Sequence, residues 1–479
     1  MTSRRHRASR WGSALAAILI LAGAGLTAWF DRMPSTYSAM HMGYADYGTP
    51  GPSTAVGAAH GPASRTEQGH TAASADGIPV SELLGDRSAP PDVSYTLVVR
   101  RERTTLADGR TFDGYTVNGS TPGPTLEARR GQLVEVALRN DNVAEGTTLH
   151  WHGLDVPSGE DGVAGVTQNA VGPGQEHVYR FRPDQEGTFW YHSHQVSHAQ
   201  VVGGLLGGIV IHPSDPASEQ SMEAMVLVHA YDGRRTINGR SGDQVISAPS
   251  GSRVRVRLVN TDNGPTQVWV SGAAYRILAI DGEDLFRPSQ VTGRSLSLTA
   301  GARADLEVVV PSDGARVQLP GISIAFAPSD VDAPTTSAPR DEVDLLGYGT
   351  AAPLGFDPRK PDRVFDYRIG RRFGLLDGRP GLWWTINGSI VPDVPMYVVR
   401  EGDVVVFRIT NNSGDVHPMH LHGHHATVLS RNGIGSTGSP WRVDSLNVRT
   451  ARASRSRSSR TTLECGWTTA TTCLTPVRG

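Results

Sequence analysis

Thr385-Ile386-Asn387-Gly388 is followed by Gly402, by Val404, Val406 and Ile409, and then by Asn411. The same text stands at Thr236-Ile237-Asn238-Gly239, with Gly251, Val254, Val256, Leu258 and Asn260 after it. It stands again at Tyr115-Thr116-Val117-Asn118-Gly119, with Gly131, Val134, Val136, Leu138 and Asn140. The Asn-to-Gly separations are 13, 13 and 15 residues, and the Gly-to-Asn separation is 9 each time. Asn-Gly is a strong tight-turn signal, because both central residues of such a turn take positive φ. Alternating apolar residues read as half-buried strands. Three in-step copies predict a repeated all-β unit. The boundaries fall at 91–214, 215–350 and 351–448, each long enough for a sandwich with its own core.

Composition agrees. The chain has 479 residues, with 55 Gly and 31 Pro, which means many turns and short strands, and length alone suggests about three domains. A net charge of -2 with 19% charged residues is neither a nucleic-acid-binding balance nor that of an acidic tail protein. Arg4, Arg5, Arg7 and Arg10 precede an apolar run from Trp11 to Phe30. Residues 1–30 therefore read as an export signal, with Ala22 and Ala24 as a small-x-small cleavage site, or as a single membrane anchor. Both readings put the protein outside the cytoplasm, extracellular or at the cell surface. That compartment permits disulfides, but Cys465 and Cys473 are the only cysteines and both lie in the tail, so disulfides do not hold the main fold. Residues 31–90 are rich in Ser, Ala, Gly, His and Pro and read as a disordered linker. Met33, Met40, His41, Met42 and His60 scattered there are soft enough to catch copper loosely, though plain linker is the simpler reading.

The histidines carry the chemistry. Seven of 17 fall into His150-Trp151-His152-Gly153, Trp190-Tyr191-His192-Ser193-His194 and His417-Pro418-Met419-His420-Leu421-His422-Gly423. On a strand, residues i and i+2 share a face, so each His-x-His pair aims two imidazoles at one place. Imidazole suits copper and zinc. One such pair is usually structural. Three, two in the first repeat and one in the last, point to a metal site between the first and third domains. His198, His424 and His425 read as bystanders, supporting or at the surface.

These clusters, in this order on three β repeats, resemble the multicopper oxidases, the group that includes laccases, over residues 91 to 448. The resemblance implies three consecutive cupredoxin-like Greek-key β-sandwich domains and copper as cofactor. It implies a type 1 copper that takes electrons singly from a small reducing substrate, and a type 2 and binuclear type 3 cluster that reduces dioxygen to water. By position, His150 and His420 would hold the type 2 copper, His152, His192, His194 and His422 the type 3 pair, and His417 the type 1 copper. Asp161, in Glu160-Asp161-Gly162-Val163-Ala164-Gly165-Val166-Thr167-Gln168, matches a segment whose carboxylate lies near the cluster, which suggests a proton relay. It also reads as an ordinary Asp-Gly turn, which does not exclude that role.

The tail departs from the family. Members carry His-Cys-His-x-x-x-His after the segment that here ends at Val448, whereas residues 449–479 hold six Arg, one Glu and no His-flanked Cys. Reading the codons from the third base, Thr codons permit His and Ala codons permit Cys, so Thr469, Ala470, Thr471 and Thr475 permit the missing motif at the right spacing. This points to a frameshift, real or from sequencing, shortly after Val448. It predicts an incomplete type 1 site, impaired turnover and an exposed sheet edge in the third domain. Two readings compete. One is an exported oxidase acting on a phenol, aromatic amine or metal ion. The other is a non-catalytic copper-binding or scaffold protein derived from it. A two-domain copper nitrite reductase fits three repeats poorly.

Overall fold

The computed structural model describes residues 44–50, 78–216, 221–329, 331–376, 378–390, 393–450 and 461–468. The candidate signal or anchor, Met33, Met40, His41, Met42, His60, and the tail positions proposed to hide His-Cys-His-x-x-x-His lie outside them.

All three expected turns form. Asn118 and Gly119, Asn238 and Gly239, and Asn387 and Gly388 all take positive φ, between 51° and 85°. Each Asn does a second job. Its Oδ1 accepts the backbone N–H of the neighbouring strand, Val98, Leu227 or Arg368, at 2.7–2.8 Å. The second Asn of each repeat is buried, and its Nδ2 ties down two loops: Val143 and Val171 for Asn140, Gly264 and Thr299 for Asn260, Asp415 and Val448 for Asn411. A buried amide must be paired in this way.

The chain forms three cupredoxin-like sandwiches. The first stacks Thr111–Val117, Val93–Thr105, Val134–Asn140 and Glu176–Phe181 against Leu126–Arg129, Leu206–His212, Gly187–His192 and His150–His152. The second sets a sheet containing Met222–Tyr231, Arg253–Asn260 and Arg303–Val309 against one containing Gln244–Ser247, Ile322–Ala327 and Thr266–Ser271. In the third, Arg363–Leu376, Val404–Asn411, Thr461–Thr468 and Ala426–Arg431 form the large sheet. Opposite are the pair His417–His420 with Ser445–Val448 and the pair Pro395–Tyr397 with Tyr44–Asp46.

Three expectations need correction. The third repeat buries Val405, Phe407 and Ile409 in its core, one residue out of step with the Val404 and Val406 face. Counted from its glycine, Val405 matches Val134 and Val254; three consecutive valines, 404 to 406, leave the face ambiguous in the sequence. The tail does not leave that sheet edge bare: Thr461–Thr468 pairs with both Val404–Asn411 and Ala426–Arg431, carrying the third sandwich past residue 448. Leu463, Cys465 and Trp467 alternate as a strand does, a short signal overshadowed by the Arg- and Ser-rich residues 449–460 before it. The linker 31–90 is also partly built into the fold. Tyr44–Asp46 and Thr49–Pro50 pair with the third sandwich. The Gly159 N–H donates to the Leu83 carbonyl, and the Gly85 N–H donates to the buried Glu160 carboxylate at 3.0 Å.

Candidate metal centre

His150-Trp151-His152 is a short strand paired antiparallel with Gly187–His192, setting His150 opposite His192 and His152 opposite Trp190. Trp151 is fully buried in the first core against Tyr179 and Phe181. Alternation then turns both flanking imidazoles outward, away from that core. There they meet the third sandwich. His150 Nε2 faces His420 Nε2 at 3.3 Å, and His152 Nδ1 faces His192 Nε2 at 3.2 Å. The His422 ring lies 4.1 Å from that of His150, and His194 lies 5.1 Å from His422. Ring nitrogens of His150, His420 and His422 lie within 4.8 Å of one another, as do those of His150, His152 and His192.

Six of the seven expected histidines therefore converge. His417 stands apart, with Nε2 3.0 Å from Ser413 Oγ and its ring edge-on to Trp384 at 4.3 Å. Burial first, and then neighbouring rings, hold His150, His152, His192 and His194 below the ordinary histidine value. Burial does the same to His420. These five rings are thereby biased towards the neutral form, the state in which an imidazole lone pair binds a cation.

Two carboxylates hold the rings. Asp161 sits with Oδ1 3.0 Å from His150 Nδ1 and Oδ2 2.9 Å from His422 Nδ1, joining the first sandwich to the third. Its burial pushes the carboxyl up, but the two imidazoles outweigh that and keep it well below the usual range. Asp444 lies 3.3 Å from His152 Nε2, and its carbonyl takes His420 Nδ1 at 3.1 Å.

Sequence reading missed Asp444 and the residues that fix it. Arg303, from the second sandwich, is fully buried and grips both Asp444 oxygens, at 2.7 and 2.6 Å. Asp281 Oδ2 accepts the backbone N–H groups of Asp444 and Ser445 at 3.1 and 3.0 Å. The side chain of His425 is largely enclosed, with Nε2 3.2 Å from Asp444 Oδ2. Burial opposes its charge, but Asp444 and then Asp155 raise it to about 9. The second sandwich supplies no expected ligand yet forms a wall of the centre. A Cβ on Gly301 would stand 2.8 Å from His152 Cε1. No local signal marks these residues, since Arg303 and Asp444 are 141 residues apart. His198 stays outside, 3.3 Å from Asn263.

Neutral, buried imidazoles whose nitrogens face one another, held by ionised carboxylates, fit a copper cluster. Facing lone pairs are unfavourable without a proton or a cation between them.

Residues 98–216 match a family model described as Multicopper oxidase, and residues 366–469 match a second with the same description. The chain is 26% identical to Laccase-1 of Botryotinia fuckeliana over 427 residues, covering 75% of this chain and 73% of that protein. It is 27% identical to Laccase-4 of Trametes villosa over 423 residues, covering 72% and 80%. The solved multi-copper oxidase from Pseudomonas thermotolerans superposes with a TM-score of 0.62 at 26% identity, over 78% of this chain and 93% of that one. The shared fold, the paired histidines and these matches agree: the chain belongs to the multicopper oxidases, copper-dependent oxidoreductases that couple oxidation of a reducing substrate to reduction of dioxygen.

Proposed function

We propose that the protein is an exported, laccase-like oxidase of phenols, aromatic amines or reduced metal ions. In it His150 and His420 hold the type 2 copper, His152, His192, His194 and His422 contribute to the type 3 pair, and His417 is a type 1 ligand. The observation that carries this reading is the His150–His420 contact across two sandwiches, 270 residues apart. Bound copper supplies stored electrons for dioxygen, so that partly reduced oxygen is not released. The protein's own work is orientation. Asp161 accepts the His150 Nδ1–H at its backbone carbonyl and the His422 Nδ1–H at its carboxylate, which leaves Nε2 as the free lone pair on each. Asp161 also serves as a proton relay. Held so firmly ionised, it takes a proton only in transit.

The chain as written turns over poorly, because no Cys in its sequence is flanked by His in the way that would supply the soft thiolate selecting type 1 copper. That observation favours one alternative, a non-catalytic copper-binding or scaffold protein derived from an oxidase. Residues 1–30 serve as signal or anchor. Copper content and oxygen uptake, measured on the chain as written and on a frame-restored tail, separate the readings. Blue colour and oxygen consumption only in the restored chain support the oxidase; a colourless, inactive restored chain overturns it.

A further inference from the structure

The first and third sandwiches close one equivalent edge by different means. Counted from Gly131 and Gly402, Glu127 and Val398 hold the same place, four residues before the glycine. Val93 pairs with Val134 and Arg363 with Val405, three residues after those glycines, which makes Tyr95 and Phe365 equivalent. In the first sandwich the Tyr95 hydroxyl reaches from one sheet to the other. It donates to the Glu127 carbonyl at 2.7 Å and accepts the Glu127 N–H at 3.0 Å. Phe365 has no hydroxyl with which to do this.

In the third sandwich the Val398 N–H instead donates to the Asp46 carbonyl at 2.8 Å. Tyr44–Asp46 runs parallel to Pro395–Tyr397 in one sheet, and Thr49–Pro50 pairs antiparallel with Val364 and Arg363 in the other. Between them the chain turns at Gly48, with φ at +69°. Asp46 Oδ1 accepts the Gly48 N–H at 2.9 Å, and Arg363 Nη1 donates to the Tyr47 carbonyl at 3.0 Å. Gly48 lies against the Phe365 ring, where a Cβ would come within 2.8 Å of a ring carbon. Only a residue without a side chain fits both that contact and that φ.

We propose that this edge of the third sandwich is a binding site for an extended peptide, and that its occupant is the chain's own segment 44–50, a strand ligand that joins the two sheets where Tyr95 joins them in the first. Main-chain hydrogen bonds supply the attachment, and the Gly48–Phe365 contact supplies selectivity. The 27 residues 51–77 connect this strand to the first sandwich and can span at most about 90 Å. The strand thus fastens the third sandwich to the first by a route that bypasses the second. Copper has no part in this, so the claim is tested on the metal-free full chain, independently of the oxidase reading.

Hydrogen exchange at the Val398 amide is the direct readout, with the Glu127 amide as internal reference. Gly48→Val puts a β-branched residue at positive φ against the ring. It should speed exchange at Val398 by about tenfold or more and leave Glu127 unchanged. Adding Phe365→Tyr to that variant supplies the missing hydroxyl and should restore protection, as should a synthetic Tyr-Ala-Asp-Tyr-Gly-Thr-Pro peptide. Unchanged exchange at Val398, or loss that neither rescue repairs, overturns the proposal. A variant that does not depend on weakening the fold places cysteines at Ala45 and Met396, which face each other across the two strands. Mild oxidation should link them within one chain, as mapped by mass spectrometry, and absence of that link overturns the proposal equally.

Discussion

The first sandwich closes with its own residues. Its last strand, Leu206–His212, lies between Leu126–Arg129 and Gly187–His192, and a tyrosine hydroxyl ties the outer edge. The third borrows. Thr461–Thr468 comes from a polar tail, and Tyr44–Asp46 comes from ahead of the first sandwich. Both domains are built on the same Asn-Gly turn and the same buried Asn, and each supplies part of one histidine cluster. The metal centre is therefore shared between a self-contained half and a half that relies on distant segments. Its geometry is as secure as the weaker side.

Several substitutions break or sharpen this contrast. The largest effect is expected from the cluster itself. His150→Ala in the first sandwich and His420→Ala in the third should each weaken copper retention by more than about 100-fold, beyond the 10–100-fold usual for losing a supporting partner. Dialysis against a chelator followed by metal analysis reads this, and His198→Ala should match the parent. A much milder loss at His420 would mean that the first sandwich holds the metal alone.

Next is the joint between the second and third sandwiches. Arg303→Met removes the guanidinium that grips both Asp444 oxygens, leaving only imidazoles beside the buried carboxylate, and should cost about 3–5 kcal/mol in urea unfolding. A loss under about 1 kcal/mol would show that the pair is not what fastens the third sandwich.

Smaller effects follow from the repeated amides. Asn140→Ala and Asn411→Ala each remove two hydrogen bonds from a buried amide to loop carbonyls, at about 1–3 kcal/mol. If the third sandwich is the dependent one, Asn411→Ala should split unfolding into two transitions and Asn140→Ala should not. Calorimetry distinguishes these, and identical single transitions would remove the asymmetry.

The smallest effect concerns pH. His425 is raised to about 9 from 6.5, chiefly by Asp444 against the opposing cost of burial. A raised histidine stabilises the fold fully below about 6.5, and that contribution fades as pH climbs through about 9. Melting temperature should fall across that window, and His425→Gln should flatten the slope. An unaltered slope in the variant would assign the effect to another group.

Much of this architecture could be read from local text. The turn Asn-Gly pairs announce themselves because few residues accept positive φ, and His-x-His announces itself because strand alternation turns two rings to one side. Misreadings came where local pattern and pairing part company. Val404 and Val406 alternate as convincingly as Val405 and Phe407, and only the opposing sheet chooses between them. Thr461–Thr468 carries a short alternation at Leu463, Cys465 and Trp467, but it follows an Arg- and Ser-rich stretch, and only its pairing with two strands of the sheet shows that it belongs to the third sandwich. Tyr44–Asp46 looks like linker because its partner lies some 350 residues away.

The sequence by itself determined the three-fold β repeat, the order of the histidine pairs and the kinship with copper oxidases, since each is written in residue type and short spacing. Tertiary structure alone decided that Arg303 and Asp281 of the second sandwich would lock Asp444 beneath the cluster, and that the strand before the first sandwich would complete the third. Those contacts join residues more than 100 apart through burial and backbone hydrogen bonding, and neither leaves a periodic trace along the chain.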